Sequence, residues 1–439
     1  MIASSSPSPR GPVLGSLLGV LRECPDYRRL YLARNASLLG DWFNLLAVLA
    51  LLRELGAASA SAVGTLIILK LLPVSLAGPA AGVVADRFSR KTIMIVADGA
   101  RFLLVLGMFA APGFGSAGIW LLYTLTFLQI TAQAFSEPAR MASVPNLVPE
   151  SSLGAANALG ALTWSLMYTL GAAVGGMVTS LLGWRIALAV DAASYLVSVA
   201  ILARAGIPSP APREGPGGLA TWLGLRDFAA VGRYLREHPK VVALLSAKSG
   251  WGAAGAISMM LALYGERVYP LAGSPDLGIA LLFVARGMGT ALGPLISRRL
   301  TQEREGPLKW AIGLSFVLAG SCYAFFAGTS YLPLALGLAV LAHIGGSTVW
   351  VFSTLLLQRE VPDHFRGRVF AAELGLCTAA ISASTWGWGW LIDQNRVDLR
   401  QMTLGVALTM FLAAVGWMLA LFAARRAGLR VRSAHPWAR

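Results

Sequence analysis

Twelve stretches of about 20 mostly apolar residues, each long enough to cross a bilayer as a helix, run through this chain. They lie at residues 35–55, 61–85, 92–111, 117–137, 158–182 and 184–203, then 240–264, 277–298, 309–328, 332–356, 370–392 and 402–424, and are called spans 1 to 12. Hydrocarbon offers no partner to backbone N–H and C=O groups, so stretches of this length must bond internally as helices. The predicted fold class is an all-α integral membrane protein with 12 transmembrane helices. Composition agrees: 56% of residues are hydrophobic and 13% charged, where a soluble domain carries about 25% charged. That balance excludes a cytosolic enzyme and a disordered chain. The three cysteines, Cys24, Cys322 and Cys377, have no paired spacing, which excludes a disulfide scaffold and a zinc site. The first 34 residues carry no cleavable signal pattern. Their apolar piece, 13–21, is too short to span and reads as interfacial.

The chain has a net charge of +15, which in a soluble protein would suggest nucleic acid. Here the charges sort by side. The N-terminal segment, the loops after spans 2, 4, 8 and 10, the central linker and the C-terminal tail hold most of the 36 Lys and Arg residues. The other side has only Arg53, Arg185, Arg267, Arg396 and Arg400. By the positive-inside rule the basic side is cytoplasmic. The expectation is therefore a multi-pass protein of the plasma (inner) membrane with both termini in the cytoplasm and no nucleic-acid partner.

An internal repeat divides the chain. Gly82 to Arg87 follows span 2, and Gly293 to Arg298 follows span 8, 211 residues later. Val148-Pro149-Glu150 with Gly154 precedes span 5; Val361-Pro362-Asp363 with Gly367 precedes span 11, an offset of 213. Two matches at nearly one offset predict two six-helix halves. The expected organisation is a cytoplasmic segment 1–34, a first half 35–203, a linker 204–239, a second half 240–424 and a basic tail 425–439. The linker opens Pro/Gly-rich and continues with a basic amphipathic run at 225–237, which reads as a helix lying on the surface.

The turn between spans 2 and 3 reads Gly82-x-x-x-Asp86-Arg87-x-x-Arg90-Lys91. Glycine there lets neighbouring helices approach, Asp86 suits a helix N-terminus, and Arg87 and Arg90 can fork onto carboxylates. Read as bare spacing, these are equally three positive-inside cations beside an incidental acid. At all five positions the run resembles the hallmark of the major facilitator superfamily, and the two-half, twelve-span layout resembles it over essentially the whole chain. Phe135–Arg140, Leu147–Glu150 with Asn157, Arg366-Gly367-Arg368 and Leu39–Trp42 are similar to its multidrug and macrolide exporter (drug:proton antiporter) branch. The resemblance implies that the loop locks an outward-facing state by docking on span 11 and on a carboxylate at the foot of span 4. Glu137 stands at that foot, so Arg87 or Arg90 with Glu137 is the expected pair. The second copy has Ser297 for the acid and Thr301 and Gln302 for the later bases, which implies a one-sided lock. Gly171, Gly175 and Gly176 on span 5 are similar to the core of the antiporter motif, with Ala172 where it has proline.

Eight Asp, Glu, Lys or Arg residues lie three or more positions inside the spans: Asp41, Lys70, Asp98, Arg101, Asp191, Lys248, Arg286 and Glu373. Each costs roughly 2.5–3.5 kcal/mol near a helix centre, so they must be paired, hydrated or protonatable. Asp98 and Arg101, three apart, can pair on one helix face. The resemblance places span 6 in the outer ring of helices, which implies packing as the duty of Asp191. Asp41, Glu373 and Glu137 are the candidates for proton coupling, against a plain salt-bridging role. Lys70, Lys248, Arg286, His343 and Trp386 are the candidates for a substrate cavity. The cations favour an anionic or zwitterionic amphiphile. His343 also suits packing, and Trp386, Trp388 and Trp390 also suit an aromatic belt.

The chain contains no Gly-Lys pair and hence no Walker phosphate loop, and no paired Cys/His set for a catalytic metal. The expectation is therefore a secondary active transporter, not an enzyme. It needs no cofactor beyond a proton gradient and works as a monomer among membrane lipid. Its expected action is proton-coupled export of small amphipathic, drug- or macrolide-like compounds by alternating access. Lysophospholipid or lipid flipping, and siderophore or metabolite export, are the alternatives on the same fold.

Overall fold

The computed structural model describes residues 19–208, 225–302 and 304–426. Most of the expected interfacial piece at 13–21, most of the Pro/Gly-rich linker and the tail beyond residue 426 lie outside the described residues. Regular structure among those described is helical, apart from one isolated bridge between Leu271 and Ser274.

The first half comprises α1 (Pro25–Glu54), α2 (Ala60–Leu69), α3 (Leu72–Arg87), α4 (Arg90–Met108), α5 (Ala117–Ser143) and α6 (Leu153–Ala203). A surface helix α7 (Leu225–Glu237) follows. The second half comprises α8 (Pro239–Ala253), α9 (Ile257–Arg267), α10 (Pro275–Thr301), α11 (Glu305–Gly328), α12 (Leu332–Glu360), α13 (Asp363–Asp393) and α14 (Leu399–Arg426). Among the described residues, nine helices are long and apolar enough to cross a membrane. The three further stretches are also helical, in forms that length and hydropathy alone miss. Spans 5 and 6 form the single 51-residue α6, turned back at Gly183, whose φ of 82° suits a residue without a side chain. Span 3 is α4, which carries Asp98 and Arg101 as well as Arg90 and Lys91. Span 7 is divided into α8 and α9.

Two spans are broken near their middles. In span 2, Pro73 lies at the start of α3 and has no N–H to continue the ladder. Lys70 therefore caps α2 beside the break. In span 7 the break falls at Ala254–Ala256, where a Cβ on Gly255 would lie 2.6 Å from the Ile381 backbone. Many large apolar side chains face outward, Trp120 and Phe325 being 73% exposed. Such apolar surface is tolerable only against lipid.

The halves meet along spans 2 and 11 and along spans 5 and 8. Glycines record how the seam closes. At the end away from the basic loops, a Cβ on Gly64 would lie 2.9 Å from Met259 Sδ, on Gly176 2.2 Å from Ala280 Cβ, and on Gly389 3.2 Å from Ser61 Cα. Midway, one on Gly287 would lie 2.4 Å from Thr169 Oγ1. Toward the basic end, Cβ atoms on Gly78, Gly82, Gly160 and Gly375 would meet nothing within 4 Å. The seam is closed at one end and open at the other. The close approach expected at Gly82 is thus absent in this form, whereas its second-half counterpart Gly293 is packed tightly against Ser347 and Ile344 of α12.

Polar bonds clamp the closed end. Arg53 pairs with Asp276 across the halves and reaches Glu266 at 3.9 Å. Asp393 accepts from the backbone N–H groups of Ala60 and Ser61 at 2.9 Å each. Arg267 donates to the Ala58 carbonyl, also at 2.9 Å.

The glycine contrast yields a stability test. Gly293→Val places atoms where Ser347 and Ile344 already are, and overpacking of this kind costs about 1–3 kcal/mol. Its folded yield by size-exclusion chromatography and its melting temperature in detergent should both fall, while Gly82→Val should match the native protein in each.

Candidate functional site

Ser37, Asp41 and Asn44 recur at helical spacing on α1 and present one polar face to the interior of the first half. Arg101 of α4 meets that face. Its guanidinium pairs with Asp41, donates to Ser37 Oγ at 2.9 Å and to Asp98 at 3.3 Å, and lies 4.3 Å over the Tyr195 ring. Tyr195 Oη donates to Asp41 at 2.9 Å and accepts from Gln129 at 2.9 Å. Gln133 donates to the other Asp41 oxygen at 3.4 Å, and Ser198 donates to Asp98 at 2.6 Å. One helical turn further along α1, Asn44 donates to Asp191 at 2.7 Å and accepts from Lys70 at 2.7 Å. The network therefore holds three carboxylates against two cations. Asp191 Oδ1 is buried without a hydrogen-bond partner. A cavity of about 50 Å³ lies between this cluster and the basic end, touching Asp41, Arg101, Gln133, Arg34, Glu137 and Arg140. That is room for a few waters.

The second half has a smaller polar centre. Lys248 of α8 bonds Glu373 and Thr354, each at 2.7 Å. Its ammonium also lies 4.7 Å from the Trp350 ring centroid. Glu373 Oε1 is buried without a hydrogen-bond partner. A residue expected to couple protons and one expected to line a substrate cavity are thus a single buried pair.

The remaining residues separate by surroundings. Arg286 bonds Ser258 Oγ and faces the rings of Tyr168 and Phe283 at 5.4 and 5.9 Å. His343 is buried, with Nδ1 2.9 Å from the Ala339 carbonyl and 3.4 Å from Tyr323 Oη. Its ring sits against Trp251 and Tyr323, as packing requires. Trp386 is 63% exposed, whereas Trp388 lies against Gly405 of α14.

At the basic end Glu137 takes different partners from those expected. Arg34 of α1 reaches it at 3.2 Å and Arg140 grips it from one turn along α5. Arg90 instead donates to the Ala142 carbonyl at 2.7 Å, and Lys91 to the carbonyls of Ala203 and Ala205. The physical reason is proximity. Arg34 and Arg140 belong to helices that line the same cavity as Glu137, whereas Arg90 starts α4 beside the end of α5. The Asp86 side chain lies outside what the structure describes. Sequence reasoning missed Asn44, Gln129, Gln133, Tyr195 and Arg34. The spacing of Ser37, Asp41 and Asn44 was the available signal.

The sequence and the fold can now be set beside known proteins. The model of the Major Facilitator Superfamily matches residues 30–373. The chain belongs to that superfamily. The MFS-type transporter YfiS of Bacillus subtilis is 26% identical over 413 residues, covering 87% of this chain and 90% of its own. The enterobactin exporter EntS of Escherichia coli O1:K1 is 27% identical over 414 residues, covering 85% and 91%. Among solved structures, a POT family transporter in complex with a thioalcohol-conjugated peptide superposes with a TM-score of 0.71 at 11% identity, over 92% of this chain and 96% of that one. The last likeness is one of fold. The chain is therefore a multi-pass membrane transporter of the superfamily, and its interior polar centres are where such a protein has chemistry to offer.

Breaking a buried pair strands its partner, whereas neutralising both members does not. Lys248→Leu alone should lower the melting temperature of the purified protein more than Lys248→Leu with Glu373→Gln. Equal losses would mean that the pair does not compensate its own charges.

Proposed function

We propose that this superfamily member is a proton-coupled exporter of a small amphipathic compound, working by alternating access in the plasma (inner) membrane. It acts without chemistry on its substrate and without a bound cofactor. The basic loops are cytoplasmic by the positive-inside rule, so the seam open toward them faces the cytoplasm, the side from which an exporter loads. The observation that carries the coupling is the interior cluster of Asp41, Asp98 and Asp191 against Arg101 and Lys70. One carboxylate there exceeds the cations, and a proton balances it. Asp41 is the leading carrier; the cavity from the basic end touches it together with Asp98. Glu373, held by Lys248, is second and Glu137 third.

The substrate class stays amphipathic and small. Drug- or macrolide-like compounds are one reading, from the run of motifs around spans 1, 4 and 11. A siderophore or similar metabolite is the second, favoured by the likeness to the enterobactin exporter.

The loop after span 2 takes the role of a lock for the opposite state. There Gly78 and Gly82 on span 2 and Gly375 on span 11 would form the seam that this form leaves open. Gly82→Leu should fold normally, because its side chain has room here, and should lose at least about tenfold of transport, a change of about 1.4 kcal/mol in the balance of states. Asp86→Asn should likewise fold and transport poorly. Normal transport by both would remove the locking role from this loop.

Proteoliposomes with an internal pH dye test the function itself, challenged in turn with cationic drugs, macrolides, a catecholate siderophore and lysolipids. One class should drive proton movement in the native protein, and Asp41→Asn should abolish that movement while leaving the protein folded. Proton movement unaltered in Asp41→Asn, or driven by no class, would overturn the coupled-export reading. Lysolipid translocation without proton movement would put a flippase in its place.

A further inference from the structure

Four cations lie inside the spans, and three have an acid nearby. Arg101 has Asp41 and Asp98, Lys248 has Glu373, and Lys70 leans on the asparagine that holds Asp191. Arg286 is different. Among the described residues no carboxylate is within salt-bridge distance of it, and the one hydrogen bond it makes is to Ser258 Oγ. A guanidinium keeps its charge at every physiological pH and has five N–H donors. An arginine half-way along a membrane span with most of those donors unused is costly. Its surroundings soften that cost with aromatic faces, Tyr168 from the first half and Phe283 one turn away on α10.

Those rings continue toward the basic end. Phe283 meets Trp42 at 6.2 Å, Trp42 meets Tyr168 at 4.3 Å edge-on, and Tyr168 meets Trp164 at 5.5 Å. Trp164 is 44% exposed and lines a cavity of about 270 Å³ with Tyr27, Tyr31, Arg34 and Arg140. The two arginines of that lining share one carboxylate, Glu137. A row of ring-to-ring contacts thus leads from a cavity lined by two arginines to a guanidinium without a carboxylate partner, where the halves touch.

We infer that Arg286 anchors the carboxylate of an aromatic acid whose ring packs along Trp164, Tyr168 and Trp42. The inference rests on the transporter reading above and adds the substrate class. A carboxylate matches the guanidinium fork with two parallel bonds, and the neighbouring rings supply edge and face contacts for a planar apolar body. The anchor belongs to the second half and the rings chiefly to the first, so a bound acid touches both. Its affinity must then differ between open and closed seams, which is the condition for a ligand to shift that equilibrium.

The test is binding without any gradient, on the full chain in phosphatidylcholine nanodiscs. Tritiated 2-naphthoate is followed by scintillation proximity and competed with unlabelled 2-naphthoate, 2-naphthylmethanol and 2-naphthylmethylamine. The acid should bind saturably and at least about tenfold tighter than the alcohol or the amine. Arg286→Gln should erase that preference, and Arg286→Lys should keep part of it, because an ammonium supplies the charge without the fork. Trp164→Ala should weaken acid and alcohol alike. An acid no tighter than the alcohol in the native protein, or a preference that survives Arg286→Gln, overturns the proposal and makes Arg286 a structural clamp on Tyr168. The native comparison stands even if Arg286→Gln fails to fold. Since no proton movement is needed, failure here leaves the export reading intact, and failure of proton movement leaves this result intact.

Discussion

Arg101 is a guanidinium at 2% exposure in the interior of a bilayer, and the first half is arranged around what it requires. A full positive charge cut off from solvent must find anions and acceptors in the protein. It draws Asp41 and Ser37 from α1, Asp98 from its own helix and the ring of Tyr195 from α6. Asp41, Asp98 and Tyr195 are each in turn bonded to a residue of another helix, so spans 1, 3, 4 and 6 are held through one charged centre. Because apolar side chains gain little by leaving lipid for one another, interior polar bonds and close packing do the work that hydrophobic burial does in water.

The same economy explains the seam between the halves. Glycine removes the side chain that would keep two helices apart, and at Gly64, Gly176, Gly287 and Gly389 the space is taken up by the opposite half. At Gly78, Gly82, Gly160 and Gly375 it is left vacant. Glycines in a helix interior carry a cost of about 1 kcal/mol each against alanine. The proposed second arrangement, in which that end closes, would account for their presence at the open end. The clamp at the other end is polar: Arg53 with Asp276 and Glu266, and Asp393 on the start of α2. Such bonds can be exchanged for water as an end opens, which a large apolar contact could not be without greater cost.

The sequence displayed the spans well, because hydrocarbon thickness imposes a length that any apolar run must meet. It displayed local pairing where spacing alone suffices, as for Asp98 and Arg101. Pairing between helices was not visible. Asp41 meets Arg101 across 60 residues of chain, and Lys248 meets Glu373 across 125. Arg53 looked like one more loop cation on the sparse side, yet its partners Glu266 and Asp276 arrive from the second half. The break in span 2 had a sequence cause in Pro73. The break in span 7 falls at Gly255, where Ile381 comes too close for a side chain, an approach invisible in the sequence.

The central claim is that one end closes as the other opens, with the Arg53 pairs holding the present form. Pulsed electron spin resonance measures both ends directly. With Cys24, Cys322 and Cys377 replaced by serine, one label pair goes on Ala58→Cys and Leu271→Cys at the clamped end. A second goes on Phe88→Cys and Arg304→Cys at the basic end. Arg53→Ala should lengthen the first distance and shorten the second in the same sample population. Two unchanged distances, or two that lengthen together, would contradict the account.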